Sequence, residues 1–281
     1  MVVHEIIYFC NEFDMLDVHL STHAPFVDRF FIAECPTTVS GLNKPLFFQE
    51  QAGSRYDFFP IEHVVLPADL HPKTQGWEDF RVQDHKKNLY MHPIACEGAD
   101  WVQHSDVDEI IEPSKYAEGI HRLYHNLDWR HACYKLRQSK TFVNTVQKKI
   151  NVYRFVRANP DQYGDHVGAG LKGIPRGFFG EGSIGWHFHN CFSNTDEFWW
   201  KVLNRNWFFG DWKSLPSREE CDNIIKNLGK LHTIPGAEKF NLFVWDEPEA
   251  MDKRWNPITY LPQRMQKTID KFPFYGDHHE S

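Results

Sequence analysis

The sequence lacks most of the signatures that would make its cysteines a metal or redox site. Six cysteines stand at positions 10, 35, 96, 133, 191 and 221, and no two form a C-x-x-C pair, which argues against a zinc knuckle or a thioredoxin-like motif. Most have apolar neighbours, as in Tyr8-Phe9-Cys10, and read as small buried hydrophobes. No apolar run approaches the roughly 18 residues of a membrane span. The N-terminus, Met1 to Phe9, has neither the basic start nor the long apolar core of a signal peptide, and it reads as a strand. The expectation is a soluble protein of a reducing cytoplasm with no membrane partner. There is no G-x-G-x-x-G, no G-x-x-x-x-G-K-[ST] and no G-x-S-x-G, so dinucleotide, P-loop and hydrolase-elbow chemistry have no support. Positive charge is in deficit: 31 Lys and Arg against 38 Asp and Glu give a formal charge of −7, which argues against wholesale coating of nucleic acid. Repeats and low-complexity tracts are absent as well.

What is present is ample material for a core. A chain of 281 residues fits one large domain. We read residues 1–281 as a single unit, with a ligand-binding half over 1–112 and an acceptor-side half with C-terminal helices over 113–281. Aromatic residues reach 15%, with ten Trp and 23 Phe, which suits a sugar-handling cleft and a large core equally. The first 110 residues alternate strand and helix signals. Strands are expected at Val3–Cys10, Val27–Glu34, 62–66 and 99–104, with helices at Asp14–Thr22 and Trp77–His92, the latter ended by Pro93. This rhythm predicts an α/β fold with a Rossmann-like, mainly parallel sheet. Beyond Glu112 the pattern changes. A helix is expected over Ser114–Asn126, β segments over 131–157, and Gly-rich loop material from Gly164 to Gly185. Further helices are expected over Thr195–Asn204, near 217–229 and near 261–271.

The stretch Trp101 to Ile111 organises the chain. An apolar strand runs into Asp106, Asp108 and Glu109. In extended backbone, residues two apart point to the same side, and two carboxylates so placed repel unless a cation lies between them. Hard divalent ions take oxygen ligands and bridge phosphates. Asp106 and Asp108 are therefore candidate ligands for Mn²⁺ or Mg²⁺ on a nucleotide diphosphate. A solvated acidic turn is the plainer alternative, but it needs neither the apolar lead-in nor the Ile110-Ile111 exit. In parallel sheets ligands bind outside the carboxyl ends of the strands. The Asn11-Glu12 loop, Glu34 and Asp106 with Asp108 all fall at such ends, so Asn11, Glu12 and Glu34 are candidate donor-binding residues. His187 and His189 flank Phe188, and either is a candidate third ligand. Lys86, Lys87 and Asn88 precede the acidic strand on a helix, from which Lys87 and Asn88 can reach a diphosphate. Asp196, Glu197 and Asp211 are candidate general bases, and Asp211 in Phe-Phe-Gly-Asp-Trp has the most enclosed neighbours. Between Arg130 and Arg176 stand ten Lys or Arg against two acids, an excess of eight positive charges in 47 residues.

Four blocks in order resemble glycosyltransferase family 17, whose best-known members are β-1,4-mannosyl-glycoprotein β-1,4-N-acetylglucosaminyltransferases. They are Asn11-Glu12-Phe13-Asp14-Met15-Leu16-Asp17; Phe31-Ile32-Ala33-Glu34 with Gly41 and Lys44-Pro45-Leu46; Asp106-Val107-Asp108-Glu109-Ile110; and Gly185-Trp186-His187 followed by Cys191-Phe192. The resemblance implies a GT-A-type fold and inverting transfer of GlcNAc or another hexose from a UDP-linked donor. It also makes His187 a metal or diphosphate contact. It leaves the acceptor open, because residues 130–180 depart from the family pattern. A glycan hydroxyl is the first expectation, and a hydroxymethylated base in DNA, gripped by the basic stretch, is the second. A non-enzymatic sugar-binding protein with a decayed site is the rival outside catalysis, and intact Asp106, Asp108 and His187 argue against it.

Overall fold

The first strand is covered on both faces, as its apolar run predicts. Val3–Tyr8 forms β1, buried except at Tyr8. The computed structural model describes residues 1–70, 77–126, 128–140, 148–159, 176–189, 193–204 and 217–226. In it β1 lies between β2 (Arg29–Glu34) and β4 (Trp101–Asp106), parallel to both, and β3 (Ile61–Val65) continues the parallel set outside β2. Helix α1 (Phe13–His23) and helix α3 (Trp77–Ala95) carry the chain between strands, and a short α2 (Phe47–Gln51) follows the loop after β2. Alternation along the strands divides the core. Val3, Ile7, Phe30, Ile32 and Trp101 join the larger cluster with Met15, Leu16 and Leu20 of α1. Ile6, Phe31, Ala33 and Val102 pack with Met91 and Ala95 of α3. Cutting Ile6, which is 0% exposed, to alanine is expected to cost about 2–5 kcal/mol.

After β4 a two-residue turn, Val107-Asp108, leads into β5 (Glu109–Ile111) and then α4 (Pro113–His125). Strands β6 (His131–Lys140), β7 (Lys148–Arg157) and β8 (Arg176–His189) follow, then helices α5 (Thr195–Asn204) and α6 (Arg218–Lys226). The described strands form one sheet in the order β3-β2-β1-β4-β7-β6-β8-β5. The β4–β7, β7–β6 and β8–β5 pairings are antiparallel, and β6–β8 is parallel. The α/β class, with a Rossmann-like parallel half and a β-rich second half, is therefore observed. β5 belongs to the first half in sequence yet pairs with β8 from the second.

Several local expectations are corrected. Pro93 lies inside α3 rather than ending it. The hydrogen bond that proline cannot make would go to the carbonyl of Leu89, a residue 39% exposed. The Gly-rich stretch is strand from Arg176 onward. Its glycines permit close packing there: a Cβ on Gly185 would overlap the Ile110 carbonyl oxygen and stand 2.8 Å from Ile111 Cα. Asp106 and Asp108 do not share an extended segment, because Val107 and Asp108 form the turn, so the same-side argument from strand geometry fails. The helix expected near 217–229 is seen as α6 up to Lys226, and the one near 261–271 lies outside the described residues.

Candidate active site

The parallel half has a switch point. The chain runs outward from β1 through β2 to β3, then returns to place β4 on the other side of β1. Loops diverge there and leave a crevice beyond the carboxyl ends of the strands. A cavity occupies it. Tyr8, Phe9 and Cys10 line it from the end of β1, Ala33 and Cys35 from β2, Leu66 from β3, and Asp106 and Val107 from β4. Helix α5 closes it with Lys201 and Asn204, and α3 contributes Asp84 and Lys87.

Among the described residues three lysines line this cavity, Lys44 from the loop after β2, Lys87 from α3 and Lys201 from α5, each held by an acid. Lys44 Nζ donates to Glu34 Oε1 at 2.9 Å. Lys87 Nζ lies 3.4 Å from Asp84 and 4.6 Å from the centre of the Tyr8 ring. Lys201 Nζ donates to Glu12 Oε1 at 3.1 Å and stands 3.9 Å from Asp108 Oδ2. Glu12 also accepts from the N–H groups of Cys10 and Asn11 at 3.1 and 3.0 Å. Burial opposes its ionisation, but the Lys201 ammonium and the backbone donors outweigh burial and hold its carboxyl below the ordinary value. Burial, aided by Glu12, pushes the Cys10 thiol up to about 12, so at neutral pH Cys10 offers no thiolate nucleophile.

The residues singled out from the sequence fall into three groups. Glu12, Lys87 and Asp106 line the cavity. Asp108 and His187 form a pair at its edge: His187 Nε2 lies 3.3 Å from Asp108 Oδ1, and Lys201 links that carboxylate to the cavity. Burial works against protonation of His187, yet Asp108 prevails and raises its pKa above the ordinary value. β5 and β8 set this contact, since Glu109 is registered opposite His187 and Phe188 N–H donates to the Asp108 carbonyl at 2.8 Å.

The second group supports the wall from behind. Asn88 Oδ1 accepts from Tyr8 OH at 2.6 Å and lies 3.0 Å from His104 Nδ1. Asn11 Nδ2 donates to the Asp196 carbonyl at 3.1 Å and so ties the β1 loop to α5. Glu34 does not line the cavity. It is fully buried, accepting from the N–H groups of Phe47 and Phe48 at 2.7 and 3.1 Å besides Lys44.

The third group holds the candidate bases. Asp196 is exposed and paired with Arg218 at 2.7 Å. Glu197 is buried at the start of α5, where its Oε2 accepts from both the N–H and the hydroxyl of Ser193 at 2.9 Å. Burial, opposed by those Ser193 bonds, pushes its carboxyl up to about 7. Asp211 and the His189 side chain lie outside the described residues. Sequence reasoning passed over Tyr8, Lys44, Asp84 and Lys201. Lys44 stood inside one of the quoted blocks; Lys201 had no signal beyond its place on an aromatic helix.

Residues 1–165 match the model of glycosyltransferase family 17, which is more than half of the chain. The chain belongs to glycosyltransferase family 17. Its members are glycosyltransferases, and a sugar donor and an acceptor are implied for this one. No curated protein is matched by the sequence. Solved structures resemble this family 17 chain only distantly. S. aureus TarS 1–349 shows 12% identity over 95% of this chain and 83% of that one, with a TM-score of 0.40. A longer S. aureus TarS structure shows 11% identity over 95% of this chain and 50% of that one, at 0.37. The inositol-1-phosphate CTP transferase from T. maritima shows 10% identity over 56% of this chain and 68% of that one, at 0.28. Among the described residues no helix of this glycosyltransferase is long and apolar enough to cross a membrane.

Proposed function

We propose that this family 17 glycosyltransferase moves a hexose, such as N-acetylglucosamine, with inversion from a UDP-linked donor to a glycan hydroxyl. The observation that carries the reading is the cavity at the switch point, where Lys44, Lys87 and Lys201 converge beside Asp106. Three ammonium groups from one loop and two helices suit a diphosphate, which needs compact cations that reach its oxygens from several sides. Asp106, Asp108 and His187 offer two carboxylates and an imidazole, donor types that Mn²⁺ or Mg²⁺ takes, although their ligating atoms do not gather within 4.8 Å of one another as those of Glu5, His19 and His23 do. Asp108 already faces the Lys201 ammonium at 3.9 Å and the His187 imidazole at 3.3 Å, partners that favour its ionised form. A divalent ion held by these residues would supply charge neutralisation for the departing diphosphate.

The chain's own groups do the rest. Lys201 is held by Glu12 in a nearly buried pair, so its ammonium is fixed before the donor arrives. Tyr8 supplies the wall between Lys87 and the β1 loop. The acceptor hydroxyl must lose a proton as it attacks the anomeric carbon. Asp196 and Asp211 keep that role in this reading, whereas both Ser193 donors engage Glu197 in capping α5.

The test is a panel of nucleotide sugars, with and without Mn²⁺, read by thermal stabilisation and by release of the nucleoside diphosphate. Stabilisation by UDP-hexoses that needs Mn²⁺ and is lost in Lys201→Met is expected. Equal stabilisation by every nucleotide, or none, would remove the donor assignment. Oligosaccharide and hydroxymethylated duplex DNA, offered as parallel acceptors, separate the two acceptor classes. DNA binding would also show a steep log–log dependence on salt.

A further inference from the structure

On the far side of the Val107-Asp108 turn from the cavity lies a second cluster of chemistry-bearing groups. Glu5 of β1 and His19 and His23 of α1 are each 0% exposed, and their ligating atoms lie within 4.8 Å of one another. The grouping resembles a metal site, but its hydrogen bonds exclude one. Ile111 N–H donates to His23 Nε2 at 2.9 Å, so this nitrogen carries no hydrogen. A neutral imidazole must then carry its hydrogen on Nδ1, and that atom faces Glu5 at 3.0 and 3.1 Å. A metal ion on Nδ1 would force an imidazolate. His19 Nδ1 faces the Val107 carbonyl at 3.0 Å, and its Nε2 faces Glu5 Oε1 at 2.9 Å. Both partners can only accept, so both nitrogens of His19 donate and the ring is an imidazolium. Ser105 Oγ adds a donor to Glu5 Oε1 at 2.6 Å. The cluster is a closed set of one carboxylate, one imidazolium and one neutral imidazole, with charge balanced and no vacant lone pair aimed at an ion. The pKa directions agree: Glu5 lies far below the ordinary carboxylate range, His19 is raised and His23 is lowered.

Among the described residues, the side-chain hydrogen bonds that leave this set go to the segment bearing the acidic turn. Ser105 precedes Asp106, Val107 separates the two aspartates, and Ile111 ends β5. The network also continues through Gln103, whose Nε2 donates to Ser105 Oγ at 2.8 Å and whose Oε1 accepts from Tyr116 of α4. Stability alone does not account for it, since a buried ion pair generally stabilises no more than an apolar group of the same volume. We propose that Glu5, His19 and His23 are positioning residues that fix the backbone at Ser105, Val107 and Ile111, and so hold Asp106 and Asp108 in one geometry toward the donor diphosphate. The inference rests on the reading of Asp106 and Asp108 as the diphosphate and cation site. A turn between strands that are not each other's partners has no ladder of its own to set its shape; beside the Phe188 N–H on the Asp108 carbonyl and the Glu109 carboxylate on the Asp106 N–H, this network constrains it from the α1 side.

His19→Gln tests it. The amide has one donor nitrogen, so it can serve Val107 or Glu5 but not both, and it carries no charge. Three quantities are measured on the full chain: hydrogen exchange of peptides covering 105–111 without metal, the Mn²⁺ concentration for half-maximal activity, and the KM for the acceptor. Loss of an outer-shell partner typically costs about 10–100-fold in metal affinity or activity. At least tenfold faster exchange and at least a tenfold higher Mn²⁺ requirement are expected, with acceptor KM unchanged. Should His19→Gln fail to fold, Ser105→Ala removes a single donor to Glu5, and the same changes are expected at about threefold. A lower melting temperature with wild-type exchange over 105–111 and a wild-type Mn²⁺ requirement would overturn the proposal. So would one equivalent of zinc per wild-type chain that is lost in His23→Gln. Faster exchange in a protein whose wild type needs no divalent ion would retain the positioning role and reject the cation reading separately; the KM for the donor then replaces the Mn²⁺ requirement and must rise.

Discussion

Lys201→Met separates the electrostatics of the cavity from its packing. Methionine keeps most of the stem length and removes the ammonium. In the native protein that ammonium donates to Glu12 at 3.1 Å, and the two side chains are only 13% and 8% exposed. Removing one partner of a buried ion pair costs about 3–5 kcal/mol, because the other charge is left without compensation. Glu12 keeps its two backbone donors, and the small residual exposure lets water approach, so we expect less than this, about 2–3 kcal/mol. For a chain of this size that corresponds to a fall in Tm of roughly 5–10 °C. The pH dependence has a definite sign. Glu12 has a folded-state pKa below its unfolded value, so its pairing stabilises the wild type above the unfolded pKa of about 4.3 and that stability is lost as pH falls through the lower, folded pKa. In Lys201→Met burial is opposed only by the two backbone donors, and the folded pKa rises. The gap in Tm between the two proteins is therefore widest near pH 7 and narrows toward pH 5. Adding Glu12→Gln to Lys201→Met should recover much of the Tm without restoring transfer. Thermal melts of all three variants at pH 5 and 7, with activity at pH 7, make the measurement. A loss below about 0.5 kcal/mol, the size of an exposed pair, or a double variant no more stable than the single one, would refute the reasoning.

Asp108→Asn should abolish Mn²⁺-dependent UDP binding by calorimetry. Its Tm should change by only a few degrees, because the amide keeps the shape of the carboxylate and His187, unlike a lysine, can release its proton once the Asp108 charge is gone. Gly185→Ala should cost at least about 2–3 kcal/mol, since its Cβ overlaps the β5 backbone and overpacking at that level forces a shift; a wild-type Tm would contradict the strand pairing. Glu197 has a folded-state pKa of about 7, raised by burial, so its contribution to stability falls as pH rises from about 4.3 through 7. Glu197→Gln should therefore gain several degrees of Tm relative to wild type at pH 8 and much less at pH 5, and an equal shift at both would show that Glu197 titrates normally.

The local chemistry was legible in the chain before any tertiary contact was known. Period and composition marked β1, α1, β4 and α4, because a strand buried on both faces and a helix with one apolar face leave different spacings. Strand ends also carry meaning in a parallel sheet, which is why Glu12 and Asp106 could be named and why the structure brings both to one cavity. Glu34 sits at such an end as well, but the α2 amides and Lys44 take up its charge, and nothing in spacing distinguishes a strand end that opens from one that is covered. Family motifs extended the reading to His187, which lies 79 residues beyond Asp108 and meets it only because β5 pairs with β8. The tertiary structure alone decided the rest. Lys201 is one of many lysines until α5 folds over the β1 loop and sets it against Glu12. Glu5, His19 and His23 read as polar interruptions in a strand and a helix, and become a charge-balanced network only when β1, α1 and the β4–β5 turn close around them. Periodicity reports which face of an element is buried. It carries no record of which distant side chain will share that face, since that depends on the order in which the strands assemble.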